Sequence, residues 1–191
     1  MNKKAFTLIE LLVVIAVIGI LSTMAVVAVS SARAKARIVK AESDVSAIYS
    51  AISLMSNDTG EWPGHQEFDT VASGVAASNN EICGADKNSN DCGSRTLTAS
   101  SSGIMENDGG TPFSNWNGPY MPSIPLDPWG HEYFFDTDYQ VDSNNNPCQC
   151  TNVACHDVVV IGSYGPDEEG VPDSSSSGAY GCDDIIKIIT Y

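Results

Sequence analysis

Glu10 is a lone carboxylate inside an apolar run, FTLIELLVVIAVIGILSTMAVVAV over residues 6–29, behind a five-residue tail that carries Lys3 and Lys4. An unpaired acid at membrane depth costs about 2.5 to 3.5 kcal/mol at the bilayer centre, less one turn in from the end, so a carboxylate placed there calls for a function. A second set of reactive side chains is Cys148-x-Cys150-x4-Cys155-His156. Three thiolates and an imidazole suit zinc, and the C-x4-C-H run is a stretched form of the haem-attachment pattern C-x-x-C-H. The even count of six, Cys83, Cys92, Cys148, Cys150, Cys155 and Cys182, favours disulfides in an oxidising compartment over either. Spacing makes Cys83 with Cys92 the best pair and leaves the partners of the other four open. The sequence has no nucleophile motif, phosphate-cradling loop or paired-acid cleft, and His65, His131 and His156 are scattered. It offers no enzyme reading.

The elements that position these groups begin with Leu11 to Val29, 19 residues without a charge. At about 1.5 Å per residue they cross a hydrocarbon core of about 30 Å. A signal peptide would have a shorter, acid-free apolar region closed by small residues, which Ser22-Thr23-Met24-Ala25 matches poorly. From Ser30 to Ser56, Ile38, Ala41, Val45, Ile48, Ile52 and Met55 recur every three or four residues, so the helix continues with one apolar face. Asn57-Asp58-Thr59-Gly60 ends it and Trp62-Pro63 follows as a stop. The stripe is too short for a sustained coiled coil, and packing on the chain's own sheet is the expectation.

Residues 64–123 are rich in Gly, Ser, Asn and Asp and read as a long irregular connection, with Ser100 to Ser102 and Ser174 to Ser177 as flexible surface loops. Three strands are expected at His131 to Asp136, Asp157 to Tyr164 and Ile185 to Tyr191, paired antiparallel. In the last, Ile186, Ile188 and Thr190 form the better face to lie on the helix. The fold class is α+β: a long N-terminal helix packed on a small antiparallel sheet.

Charge divides the chain sharply. Residues 1–40 hold six bases and one acid, net +5, and residues 41–191 hold three bases and 23 acids, net −20. The acidic part repels nucleic acid and anionic lipid surfaces and attracts divalent cations, so nucleic acid is not an expected partner. Lys3 and Lys4 on one side of the span face Arg33, Lys35, Arg37 and Lys40 on the other, a count that by itself favours a cytoplasmic head. The cysteines argue for export.

The run KKAFTLIELLVVIAVIGIL resembles the N-terminus of type IV pilins and pseudopilins. That resemblance implies cleavage by a prepilin peptidase between Ala5 and Phe6, N-methylation of Phe6, and Glu10 as fifth residue of the mature chain. Ala5 stands where the family usually has Gly, and Val27 where many members have a helix Pro. Asp127-Pro128-Trp129-Gly130-His131-Glu132-Tyr133 resembles the DPWG-x-x-Y turn before the first strand of type II secretion major pseudopilins, with Asp127 accepting backbone N–H bonds and Trp129 covering the sheet. The acidic segment from Asp167 to Asp184 resembles that family's calcium loop, which implies Ca2+ held by Asp167 and Asp184, with Asp173 and Asp183 as further candidates.

The expected organisation is a leader at 1–5, a transmembrane and assembly helix at 6–29, an amphipathic continuation at 30–56 and a loop-rich extracytoplasmic head at 57–191. The expected function is that of a filament subunit of a type IV pilus-like or type II secretion fibre. The N-terminal amine of Phe6 and the carboxylate of Glu10 on neighbouring subunits would neutralise each other in the fibre. Partners are then other copies of the chain, the prepilin peptidase, an inner-membrane assembly platform and, before assembly, membrane lipid. The alternative is a membrane-anchored, calcium-dependent binding module that never polymerises.

Overall fold

One helix, α1, spans Leu8–Thr59 and stops where Gly60 turns left-handed at φ 77°, its N–H bonded to the Ser56 carbonyl at 2.9 Å. A glycine at that position satisfies an orphan carbonyl of the last turn without a Cβ penalty. The computed structural model describes residues 7–66, 68, 82, 96–145, 156–166 and 183–189. Ala5, Phe6, the six cysteines, Asp167, Asp173, Ser174 to Ser177, Thr190 and Tyr191 lie outside the described residues.

The chain divides into two compact units, Met1–Arg37 and Ile38–Tyr191. In the first, every residue whose burial is described is exposed, including Leu8, Ile15, Ile18, Leu21 and Met24. It contains an apolar stretch long enough to cross a membrane. In the second unit the helix buries Ala41, Val45, Ile48, Ile52 and Met55 as the periodicity requires, and Ala51 joins them. Ile38 does not. It is 37% exposed, one turn before the buried face begins at Ala41.

Against this face lies a three-stranded antiparallel meander of β1 (Phe134–Val141), β2 (His156–Ser163) and β3 (Ile185–Ile189) in that order. Phe134 faces Gly162 and Phe135 faces Ile161, with an irregularity between Asp136 and Tyr139, while Val159 faces Ile189 and Ser163 faces Ile185. Alternation along the strands produces two apolar clusters. Phe135, Val159, Ile161 and Ile189 join the helix residues, whereas Phe134, Tyr139, Val141 and Val160 gather on the opposite face with Ile186 and Ile188.

This reverses the expected facing of the last strand. Ile185, Lys187 and Ile189 lie toward the helix, and Ile186 and Ile188 belong to the other cluster. Lys187 is tolerated on the helix side because its Nζ donates to Ser46 Oγ at 2.8 Å and sits 4.3 Å from the centre of the Tyr49 ring. A long side chain can bury its methylenes while its ammonium finds polar and aromatic partners.

The first strand also begins later than expected. His131 is bound into the preceding turn by both its N–H and its carbonyl, so pairing starts at Phe134, and it runs on through the irregularity to Val141. The serine segment is likewise not a loose loop. Ser100–Ser102 is a 3-10 turn in which Ser102 is fully buried and donates to the Leu97 carbonyl at 2.7 Å. Leu97, Ile104 and Phe113 carry this irregular connection into the helix-side core.

Tyr133 ties the connection to α1: its ring is fully buried and its hydroxyl donates to Asp44 Oδ2 at 2.9 Å. Burial first, then the Asp44 carboxylate, push the phenol well above its ordinary value. A phenol raised in the folded state contributes stability that is intact below the unfolded pKa of about 10 and is lost as pH rises above it. The head is therefore expected to lose thermal stability progressively above about pH 10. Tyr133→Phe should be somewhat less stable at pH 7 and should show a shallower alkaline loss, measured by melting curves at increasing pH.

Candidate functional site

At the start of the apolar helix, Glu10 and Thr7 cap the chain reciprocally. Glu10 Oε2 accepts from the Thr7 N–H and the Thr7 hydroxyl, both at 2.8 Å, while Thr7 Oγ1 accepts from the Glu10 N–H at 3.3 Å. This is a capping box, in which two side chains satisfy backbone donors that the first helical turn leaves open. The T-x-x-E spacing before an apolar run was the readable signal for it, and sequence reasoning missed it. Glu10 thus has a role within its own chain as well as any role toward another.

Asp127 organises the turn before β1. Its carboxylate is buried at 5% exposure; Oδ1 accepts from the N–H groups of Trp129, Gly130 and His131 at 2.9, 2.8 and 2.8 Å, and Oδ2 accepts from the Ser163 hydroxyl at 2.6 Å. The Asp127 N–H returns to the His131 carbonyl at 2.8 Å. A single anion therefore closes the turn and fastens it to the end of β2. Trp129 is half-buried and, among the described residues, is part of neither apolar cluster.

Beyond Ser163 the chain enters the acidic segment whose far end is Asp183 and Asp184. Gly165 has φ 71°, and a Cβ there would come within 2.3 Å of the Asp183 carbonyl oxygen, so the two ends of the segment touch. Only glycine fits such an approach. Asp184 Oδ2 accepts the Tyr139 hydroxyl at 2.7 Å, which fastens the start of β3 to β1. Asp183 and Asp184 stand together at this mouth, while Asp167 and Asp173 lie outside the described residues. Among the described residues no group of three His, Cys, Asp or Glu side chains gathers as a metal site.

His65 is held by contacts with its neighbours. It adopts φ 63°, stacks on Phe113 at 3.6 Å between ring centres, and its Nδ1 is 2.7 Å from Glu61 Oε2 with Nε2 3.6 Å from Asp108 Oδ2. The Gly110 N–H at 2.8 Å, followed by smaller contributions that include the imidazole, holds the Asp108 carboxyl below its ordinary value. These contacts clamp the loop after α1 to the connection around residue 110.

A long apolar helix whose first turn carries a capped glutamate thus runs on into a stretch that packs on a three-stranded antiparallel meander. Residues 1–26 match the model of the prokaryotic N-terminal methylation motif, and residues 99–176 match that of type II secretion system protein G. The chain is 27% identical over 134 residues to the type II secretion system core protein G of Pseudomonas aeruginosa, covering 69% of this chain and 72% of that one. It is 26% identical over 176 residues to the same protein of Dickeya chrysanthemi, covering 91% and 82%. Fimbrial protein EcpC of Eikenella corrodens is 38% identical over 78 residues, covering 41% of this chain and 48% of that one. No solved structure gives a significant match. The chain is thus similar at its start to proteins with the N-terminal methylation motif and, over most of its head, to type II secretion system protein G, a likeness that supports a structural subunit of a filament.

Proposed function

We propose that this chain is the repeating subunit of a type II secretion pseudopilus. It is held in the inner membrane by α1 with its head outside the cytoplasm until a platform protein passes it into the fibre. The observation that carries this reading is the coincidence, in one chain, of the methylation motif at the start and the protein G match across the Asp127 turn and β1 and β2. Processing then precedes assembly. The mature protein is expected to begin at Phe6, heavier by one methyl group, in intact-mass spectra from cells with an active prepilin peptidase. A chain that keeps Met1 in those cells, or that fails to restore secretion in a strain lacking its own major subunit, would remove the reading.

Calcium belongs to the same proposal. Between Pro166 and Asp184 the sequence has six acids and no base, and the contact of Gly165 with Asp183 draws the segment's ends together. Asp167 and Asp184 would supply carboxylate oxygens, with Asp173 and Asp183 nearby in sequence, and the ion would neutralise a segment that otherwise repels itself. For a dissociation constant of 0.1 to 1 mM, 1 mM calcium adds only about 0.4 to 1.4 kcal/mol. Chelation is expected to lower the head's melting temperature by a few degrees. Asp184→Ala should abolish that response, whereas Tyr139→Phe, which loses only the hydroxyl partner of Asp184, should retain it. Superimposable melting curves with calcium and with chelator would exclude the ion.

A further inference from the structure

Three bases just past the apolar run have no part in the capping, the core or the filament charge pair. Arg33, Lys35 and Arg37 are exposed on α1, and among the described residues none of them is in an ion pair, while the next base, Lys40, is taken up by Asp44. At about 1.5 Å per residue they emerge about 6, 9 and 12 Å beyond Val29. The headgroup region on each side of the hydrocarbon core is about 5 to 8 Å deep, and long basic side chains reach back toward it. Arg33 and Arg37 are one turn apart and share a face, and Lys35 stands on the opposite side, so the helix is ringed rather than striped. The residues between and before them, Ser30, Ser31, Ala32, Ala34 and Ala36, are small and leave the ring accessible.

We infer that this basic collar binds the phosphates of anionic phospholipids in the leaflet that the helix enters last. The inference rests on α1 crossing the membrane. It accounts for the chain's departure from the usual charge bias, because bases on the far side of the span serve the lipid surface there. Guanidinium groups take phosphate oxygens in pairs and an ammonium binds as a point charge, and the helix-borne ring holds two of the first and one of the second at headgroup depth. The acidic head makes no such contact, since 23 acids against three bases repel the same surface. A subunit leaving the membrane for a fibre must release these headgroups, so the collar sets part of the resistance to extraction.

The full-length chain in phosphatidylcholine bilayers, probed with spin-labelled phosphatidylglycerol and spin-labelled phosphatidylcholine, tests this directly. The anionic probe is expected to be held at least fivefold more strongly, about fivefold being the effect of one base near the surface. The preference should fall toward one in about 1 M salt, where the screening length is about 3 Å. R33Q/K35Q/R37Q should lose most of it, while R33K/R37K and the opposite-end variant K3Q/K4Q keep most of it. Equal retention of the two probes by the unmodified chain overturns the proposal. So does a triple-glutamine variant that keeps its lipid preference and instead loses salt-sensitive association between chains, which would assign the collar to the acidic head of a second copy. Infrared dichroism on the same samples shows whether α1 crosses the bilayer, so failure of the spanning reading is distinguished from failure of the collar.

Discussion

Glu10→Val is expected to insert into the membrane at least as well as the unmodified chain and to form essentially no filaments. Insertion improves because an acid leaves an apolar segment. Assembly fails because the amine of Phe6 on the neighbouring subunit would be buried without its counter-charge. Removing one partner of a buried pair costs about 3 to 5 kcal/mol, more than a hundredfold in the equilibrium for adding a subunit. Valine also removes the acceptor of the Thr7 N–H and hydroxyl, so loss of the helix cap is a competing explanation. Glu10→Gln separates the two. An amide oxygen still caps the first turn but carries no charge, so if pairing governs assembly the glutamine variant should lose fibres as completely as the valine one. Fibre yield by pelleting and electron microscopy, with membrane extraction as the insertion control, checks this. Abundant fibres from Glu10→Gln would reduce Glu10 to a cap.

Asp127→Ala is expected to be the most damaging single change in the head. Three backbone N–H groups and the Ser163 hydroxyl would lose their common acceptor in a site with little access to water. Hydrogen bonds to a charged group contribute about 1.5 to 3 kcal/mol each, and the turn can relax toward solvent only in part, so a net loss of about 3 kcal/mol is expected. For a domain of this size that lowers the melting temperature by about 10 °C. Asp127→Asn keeps one carbonyl oxygen for the N–H cluster and should recover part of the loss. Ser163→Ala, which removes the bond at Oδ2 and the acceptor of the Gly165 N–H at 3.2 Å, should cost about 1 to 2 kcal/mol. Equal melting temperatures for Asp127→Ala and the unmodified head would show that the turn holds without its carboxylate.

What the sequence determined by itself was everything governed by spacing along one element. The 19 uncharged residues from Leu11 to Val29, the apolar face from Ala41 to Met55 and the stop at Gly60 follow from a period of 3.6 residues and from local backbone chemistry. The carboxylate of Asp127 was also legible, since a DPWG turn offers its N–H groups within four residues of the acid. The Glu10 capping box was equally local and simply went unread.

Tertiary structure alone decided which face of β3 meets the helix. Alternation assigns Ile186 and Ile188 to one side and Ile185 and Ile189 to the other, and hydrophobicity cannot choose between two apolar faces when both are covered. Lys187 decided against the obvious choice because Ser46 and Tyr49, some 140 residues earlier, stand where its ammonium needs them. Separations of 89, 36 and 45 residues hid the bonds of Tyr133 to Asp44, Ser163 to Asp127 and Tyr139 to Asp184. A hydroxyl or carboxylate announces that it needs a partner, but only the folded chain brings that partner within 3 Å.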